Sequence, residues 1–236
     1  MSARESMFIG IDLSDPFAKH KRRCARAILE SDLHCTFDEW EYDLTGSAIV
    51  PSEVAYSAHI VAIDGPQGLA RDPSQHMRLC EQQLGAAGKS AYTFRPIGQP
   101  YAGFVRGSVE LFYSLYRSGD FHLHGMEQPQ EPYTNLIEVY PGAAWPVLAR
   151  QRLKKKRLLE GRRARYGLMV RLGMTFAQRY SIDMPPTHDQ LDAAVAAYLA
   201  YLFESRKTCD YGEKPFEDTN LRILREGLLV QPIRSS

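Results

Sequence analysis

The chain has 236 residues, 44% of them apolar and 24% charged, with a formal net charge of +1. That length buries a sizeable core without disulfides or structural metal, and the composition excludes a disordered or fibrous chain. No stretch reaches the roughly 18 consecutive apolar residues of a membrane span. The opening MSARESMFIGID has no apolar segment followed by a small-residue cleavage site, so a cytoplasmic protein with no membrane partner is expected. Cys24, Cys35, Cys80 and Cys209 show no CxxC or other metal-ligand spacing and are expected to be reduced thiols.

The near-neutral total hides an asymmetry. Arg150 to Arg171 carries ten Lys/Arg and one acid, Glu160, a local charge of +9 against −8 for the rest. Such a segment suits an anionic partner, and equally a solvated helix face.

In chain order, MFIGIDL at 7–13 is a short Ile-rich run that predicts a buried strand with Asp12 at its carboxyl end. CARAILE and HCTFDEWEYD predict two more strands joined by a Ser31-Asp32 turn, so the chain opens as a meander. GSAIVPSEVAYSA suits a short helix. HIVAIDGPQG then repeats the opening theme: a buried strand to Ile63, Asp64 at its end, and a turn forced by Gly65-Pro66. Helical spacing recurs over 74–87 and from Val105 to Tyr116, where Val109, Phe112, Tyr113 and Tyr116 form a stripe read as core. TNLIEVYPG predicts a strand ending near Glu138, and AAWPVLARQRL continues as a helix-like segment. Arg162 to Leu172 predicts another helix. Thr187 with Gln190 forms a capping box that opens a helix to about Phe203, and GLLVQPI predicts an edge strand cut short by Pro232. The whole reads as one mixed α/β domain over 1–236, with a helical insertion around 70–130 and a basic helical segment over 150–172.

Two neighbouring strands ending in Asp12 and Asp64 would present hard oxygen ligands at the sheet's carboxyl edge. Asp189 and Asp192, three apart, lie on one face of the first turns of the late helix and are close enough to share a cation. Asp192, deeper in the helix, is the more rigidly aimed, with Asp189 its companion. Glu138 is an accessory ligand. Each acid alone has a plainer reading: Asp12 and Asp64 suit turns, and an isolated Asp189/Asp192 pair complements the helix dipole. Glu138 also suits a loop anchor or a partner for a base. Together they repel and raise one another's pKa unless a cation joins them, and Mg²⁺ or Mn²⁺ suits oxygen ligands best. His188 reads as an exposed residue of the first helical turn before it reads as a proton donor, and His122 and His124 lack a third ligand for zinc.

FIGIDLS, HIVAIDGPQGL with a following Arg78-x-Cys80-Glu81, LIEVYPGAAWPVL and HDQLDAAVAAYLA resemble the successive blocks of the family catalogued as domain of unknown function 429. DQLDAAVAA also resembles the Asp-x-x-Asp-Ala helix of Holliday-junction resolvases. The resemblance spans nearly the whole chain. It implies a ribonuclease H-like mixed sheet flanked by helices with a metal-facing C-terminal helix, and a nuclease in which Asp12, Asp64 and Asp189 or Asp192 hold metal. Residues 90–135 match no block with a chemical role.

The leading expectation is therefore a Mg²⁺- or Mn²⁺-dependent nuclease hydrolysing phosphodiester bonds by a two-metal carboxylate mechanism. Lys154, Lys155, Lys156, Arg162 and Arg163 would hold the backbone of RNA or DNA without reading its sequence. The alternative is a non-catalytic module of the same fold binding nucleic acid or a phosphorylated partner. Phosphotransfer from a nucleotide ranks last, since no G-x-x-x-x-G-K-[ST] loop is present. The sequence carries no indication of oligomeric state.

Overall fold

The computed structural model describes residues 7–20, 23–42, 58–86, 90–127 and 134–234. In chain order the elements are β1 (Met7–Asp12), β2 (Arg23–Glu30), β3 (His34–Glu41), β4 (Ala58–Asp64), α1 (Leu79–Leu84), α2 (Ala102–Ser118), β5 (Phe121–Leu123) and β6 (Thr134–Val139). They continue with α3 (Pro141–Ala149), α4 (Leu159–Arg171), β7 (Thr175–Phe176), α5 (His188–Glu204), β8 (Thr208–Asp218) and β9 (Ile223–Pro232). Among these residues the nine strands form one mixed sheet, ordered β7-β3-β2-β1-β4-β6-β9-β8, with β5 beside β6.

The opening meander forms as expected, with β1 to β3 antiparallel. β4 then runs parallel to β1, and β6 parallel to β4. The segment GSAIVPSEVAYSA spans 46–58; the short helix expected within it lies, apart from Ala58 at the start of β4, outside the described residues.

Helices cover both faces. α5 packs on one, burying Phe8, Ala27, Ala62, Ile137 and Val139. α2 lies on the other with Ile9, Ile11, Val61, Ile63 and Leu136. The predicted capping box starts α5: Thr187 Oγ1 accepts from Gln190 N at 3.2 Å, and Gln190 Oε1 accepts from Thr187 N at 3.0 Å. Inside the contact, Ala27, Gly10 and Ala62 stand in one row across β2, β1 and β4. A Cβ built on Gly10 would run into the Ala193 carbonyl oxygen and the Ala197 nitrogen. The helix backbone therefore rests directly on the strand backbone.

Three expectations are corrected. Of the described residues 74–86 only Leu79–Leu84 are helical, because the chain before them is pinned to β9: Glu226 accepts from Arg71 N and Leu79 N. GLLVQPI belongs to β9, an interior strand between β6 and β8; the edge is β8, whose bulge between Glu213 and Phe216 contains Pro215. Finally, 150–158 is not helical, since α3 ends where Arg150 takes a left-handed φ of 54° and α4 starts only at Leu159. No described helix is long and apolar enough to cross a membrane.

Gly10→Ala is expected to lower the unfolding free energy by about 1–3 kcal/mol, since two backbones must separate to admit the methyl. Gly167→Ala, in the interior of α4 with its nearest neighbour at 3.6 Å, should be neutral or stabilising. Urea melts of the two variants check the contrast.

Candidate functional site

The row after Gly10 carries the chemistry. Asp12 pairs with Ala25 on one side and Asp64 on the other, and Asp64 pairs with Val139. Residues paired across strands share a face, so both carboxylates lie on the α5 side at the carboxyl ends of parallel strands. Because α5 sits against Gly10, the residue preceding Ala193 in that helix comes down beside them. That residue is Asp192.

Asp192 is buried, and both its oxygens are engaged. Oδ1 accepts from Trp145 Nε1 at 2.7 Å, and Oδ2 pairs with the ammonium of Lys156. Trp145 comes from α3, directly after the strand that ends beside Asp64, and Arg165 of α4 stacks over its ring at 5.4 Å. Lys156 comes from the loop before α4. Its carbonyl neighbourhood is fixed by Arg165, whose Nη1 donates to the oxygens of Lys154 and Gly161 at 2.9 Å each.

The electrostatics follow from crowding charges out of water. Burial, then the charges of Asp64 and Asp192, hold the Asp12 carboxyl well above the usual range. Burial and Asp192 push Asp64 up to about 7, opposed by Lys156 and by a hydrogen bond from Asp12. The two acids thus share a proton near neutral pH. Burial works against the Lys156 ammonium, but Asp192, Asp12 and Asp64 outweigh it and raise its pKa. Tyr140 borders the same centre, its phenol raised by burial and by Asp64.

Other expected residues lie apart. Asp189 is 46% exposed, at ion-pair distance (2.5 Å) from its neighbour His188, and acts on Asp12 only as a weak outer charge. Glu138 pairs with Ile63, one position off the Asp64 row, and so points to the opposite face. There it is buried against Arg78, which donates from Nη1 at 2.7 Å and Nη2 at 2.5 Å, while Gln67 N adds a third bond at 2.9 Å. A carboxylate so satisfied anchors the chain after β4, and its accessory-ligand assignment does not stand on this geometry. Arg78, Glu138 and Asp64 border a cavity of about 70 Å³, walled also by Phe104 and Tyr140. Among the described residues, no three His, Cys, Asp or Glu side chains meet at metal-ligand spacing as placed here. The cation standing among the acids is Lys156.

The basic set also divides. Lys154 pairs with Glu160, and Arg163 binds Asp183 and the Ile182 carbonyl, both at 2.9 Å. Arg162 is half-buried, Lys155 and Arg157 are exposed, and Lys156 turns inward. Sequence reasoning gives Trp145, Tyr140 and Arg78 no chemical role, and takes Lys156 for a backbone contact. The available signals were slight: a buried Trp needs an acceptor for its one N–H, and a carboxylate inside an apolar strand needs a donor.

Glu138→Gln is expected to cost about 1.5–3 kcal/mol of stability, since it weakens two charge-assisted hydrogen bonds and leaves Glu81, at 3.3 Å, as the one buried carboxylate facing Arg78. Urea melts of this variant against wild type check the loss.

The family described as "Protein of unknown function (DUF429)" matches residues 10–214. No curated protein and no solved structure matches the chain. The matched span runs from Gly10 into β8 and takes in Asp12, Asp64, Lys156 and Asp192. The chain belongs to the DUF429 family.

Proposed function

We propose that the protein is a Mg²⁺- or Mn²⁺-dependent nuclease on a ribonuclease H-like sheet, with Asp12, Asp64 and Asp192 as the metal ligands. The observation that carries this is the convergence of three carboxylates, half-buried Asp12 and Asp64 from β1 and β4 and buried Asp192 from α5, at the carboxyl edge of parallel strands. An antiparallel meander leading into parallel strands, with acids ending the first and fourth, supports the fold assignment. The donor set fits the ion: all three are hard oxygen ligands, and two hold a proton that a divalent cation would displace.

A bound divalent ion would polarise the phosphodiester and orient and activate the attacking water. The chain does the rest. Trp145 fixes one oxygen of Asp192, so the carboxylate cannot rotate freely. Asp12 and Asp64, which share a proton near neutral pH, would hold the ion in its place. Lys155 and Arg157, exposed on the loop that delivers Lys156, would hold the polynucleotide backbone near the acids through charge alone.

The second reading is a non-catalytic module holding nucleic acid or a phosphorylated partner. Lys156 favours it, because it partly neutralises the acids from within the chain. That module predicts salt-sensitive binding indifferent to EDTA and to Asp12→Asn.

Two measurements test the nuclease. Cleavage of labelled single-stranded, duplex and branched RNA and DNA with Mn²⁺ should fall on the order of 10²-fold or more in Asp64→Asn. Equal cleavage by both proteins would overturn the assignment. The second is pH-dependent. An unfolded Asp titrates near about pH 4, so the folded pair retains a proton that the unfolded chain has lost. The pair's contribution to stability is thus full at low pH and is lost as pH rises through about 7. Mn²⁺ competes with that proton, so its elevation of the melting temperature should be small at pH 5 and grow above pH 7. No Mn²⁺ response at pH 8 would count against the metal ligands.

A further inference from the structure

We infer that Lys156 takes the place of a second divalent ion, so that the centre holds one Mg²⁺ or Mn²⁺ together with a built-in ammonium. The inference rests on the reading of the acids as a metal centre and concerns how many cations that centre takes.

The first support is placement. Asp192 is 3% exposed in its side chain and Lys156 43%, so the lysine reaches from the surface onto a buried carboxylate. An ion pair between two solvated side chains contributes little and moves freely; one with a buried partner on a fixed backbone is a different object. Here the backbone is fixed immediately before the lysine. Arg165, itself buried, holds the Lys154 oxygen, and a Cβ on Gly161 would run into the Lys155 oxygen. Lys156 is thus delivered by a loop packed against the start of α4.

The second support is charge. Asp12, Asp64 and Asp192 carry three negative charges when all are ionised; Lys156 supplies one positive charge and a single divalent ion two, which closes the balance. A second divalent ion beside Lys156 would leave a buried excess of two positive charges before substrate arrives. With Lys156 absent, two divalent ions leave an excess of one, which a phosphodiester cancels. The lysine therefore decides between the two occupancies.

The third is chemistry. Asp192 uses one oxygen for Trp145 and the other for Lys156, the oxygen that a second ion would otherwise share. An ammonium has three donors and no exchangeable ligands. Beyond Asp192 it can donate to a phosphate oxygen, but it cannot carry a nucleophilic water. One cation position activates, and the other only stabilises charge.

Mn²⁺ titration of the full chain at pH 8, read by calorimetry and electron paramagnetic resonance, tests this without recourse to activity. Wild type should bind one Mn²⁺ per chain with an uncoupled spectrum. Lys156→Met should bind two, with the broadened spectrum of a spin-coupled pair; Lys156→Gln repeats the test should the methionine variant melt early. Two coupled ions in wild type, or a single ion retained in both variants, would overturn the role of Lys156 while leaving a metal centre intact. Ions bound by the variants but not by wild type would overturn the one-ion centre in favour of the non-catalytic module. No Mn²⁺ bound by any of the three would overturn the metal reading itself.

Discussion

The site depends on a place where two backbones touch. Gly10 lets α5 lie on β1 with no side chain between them, and the helix answers with Ala193, Ala194, Ala196, Ala197 and Ala200, all fully buried. Alanine favours helix and covers little surface, so this face trades apolar area for closeness. Closeness is what the acids require. Asp192 precedes the residue whose carbonyl faces Gly10, so its short side chain reaches the row of Asp12 and Asp64 only while that contact holds.

Two charged systems stand back to back through the same strand ends, and they differ in how well they are satisfied. On the α2 face, Glu138 receives two donors from Arg78 and one from Gln67, a closed arrangement that ties the chain after β4 to β6. On the α5 face, Asp12 and Asp64 share a proton between like charges, and Lys156 is the nearby cation that opposes them. A satisfied buried pair is architecture. A deficient one binds protons or cations, and it is the deficient one that lies where open α/β sheets place their ligands.

Much of this was legible because local pattern and global fold agree. Short Ile-rich runs closed by Asp12 and by Asp64-Gly65-Pro66 mark two buried strands, and they pair in register with the acids side by side. The capping box of Thr187 and Gln190 marks the start of α5 to the residue. What stayed hidden depends on partners distant in the chain. Pro232 in GLLVQPI suggests an edge, yet the strand is interior; the true edge carries the charges and the Pro215 bulge that discourage pairing with a further strand. Glu138 looks like one more ligand in a line of acids. A one-residue offset in a pleated strand sends it to the other face, and only the pairing register reveals this. Lys156 sits within a run of bases that reads as a single surface. Nothing in the run distinguishes the one lysine that turns inward, because the cause lies in Arg165 and in an acid 36 residues away.

Holding three acids together by a proton and a lysine has a consequence for how a metal would enter. Zinc-finger domains gather their ligands only as the ion binds, so metal affinity and folding are one free energy. Here the acids are brought near one another by the α5–β1 contact and by Trp145, independently of any ion. On the metal reading, entry of a cation would exchange charge among these acids, displacing the proton of the Asp12/Asp64 pair and sharing Asp192 with Lys156. Affinity would then be limited by that exchange rather than by ordering of the chain. A centre built this way responds to pH and to the lysine's position while the fold around it stays the same.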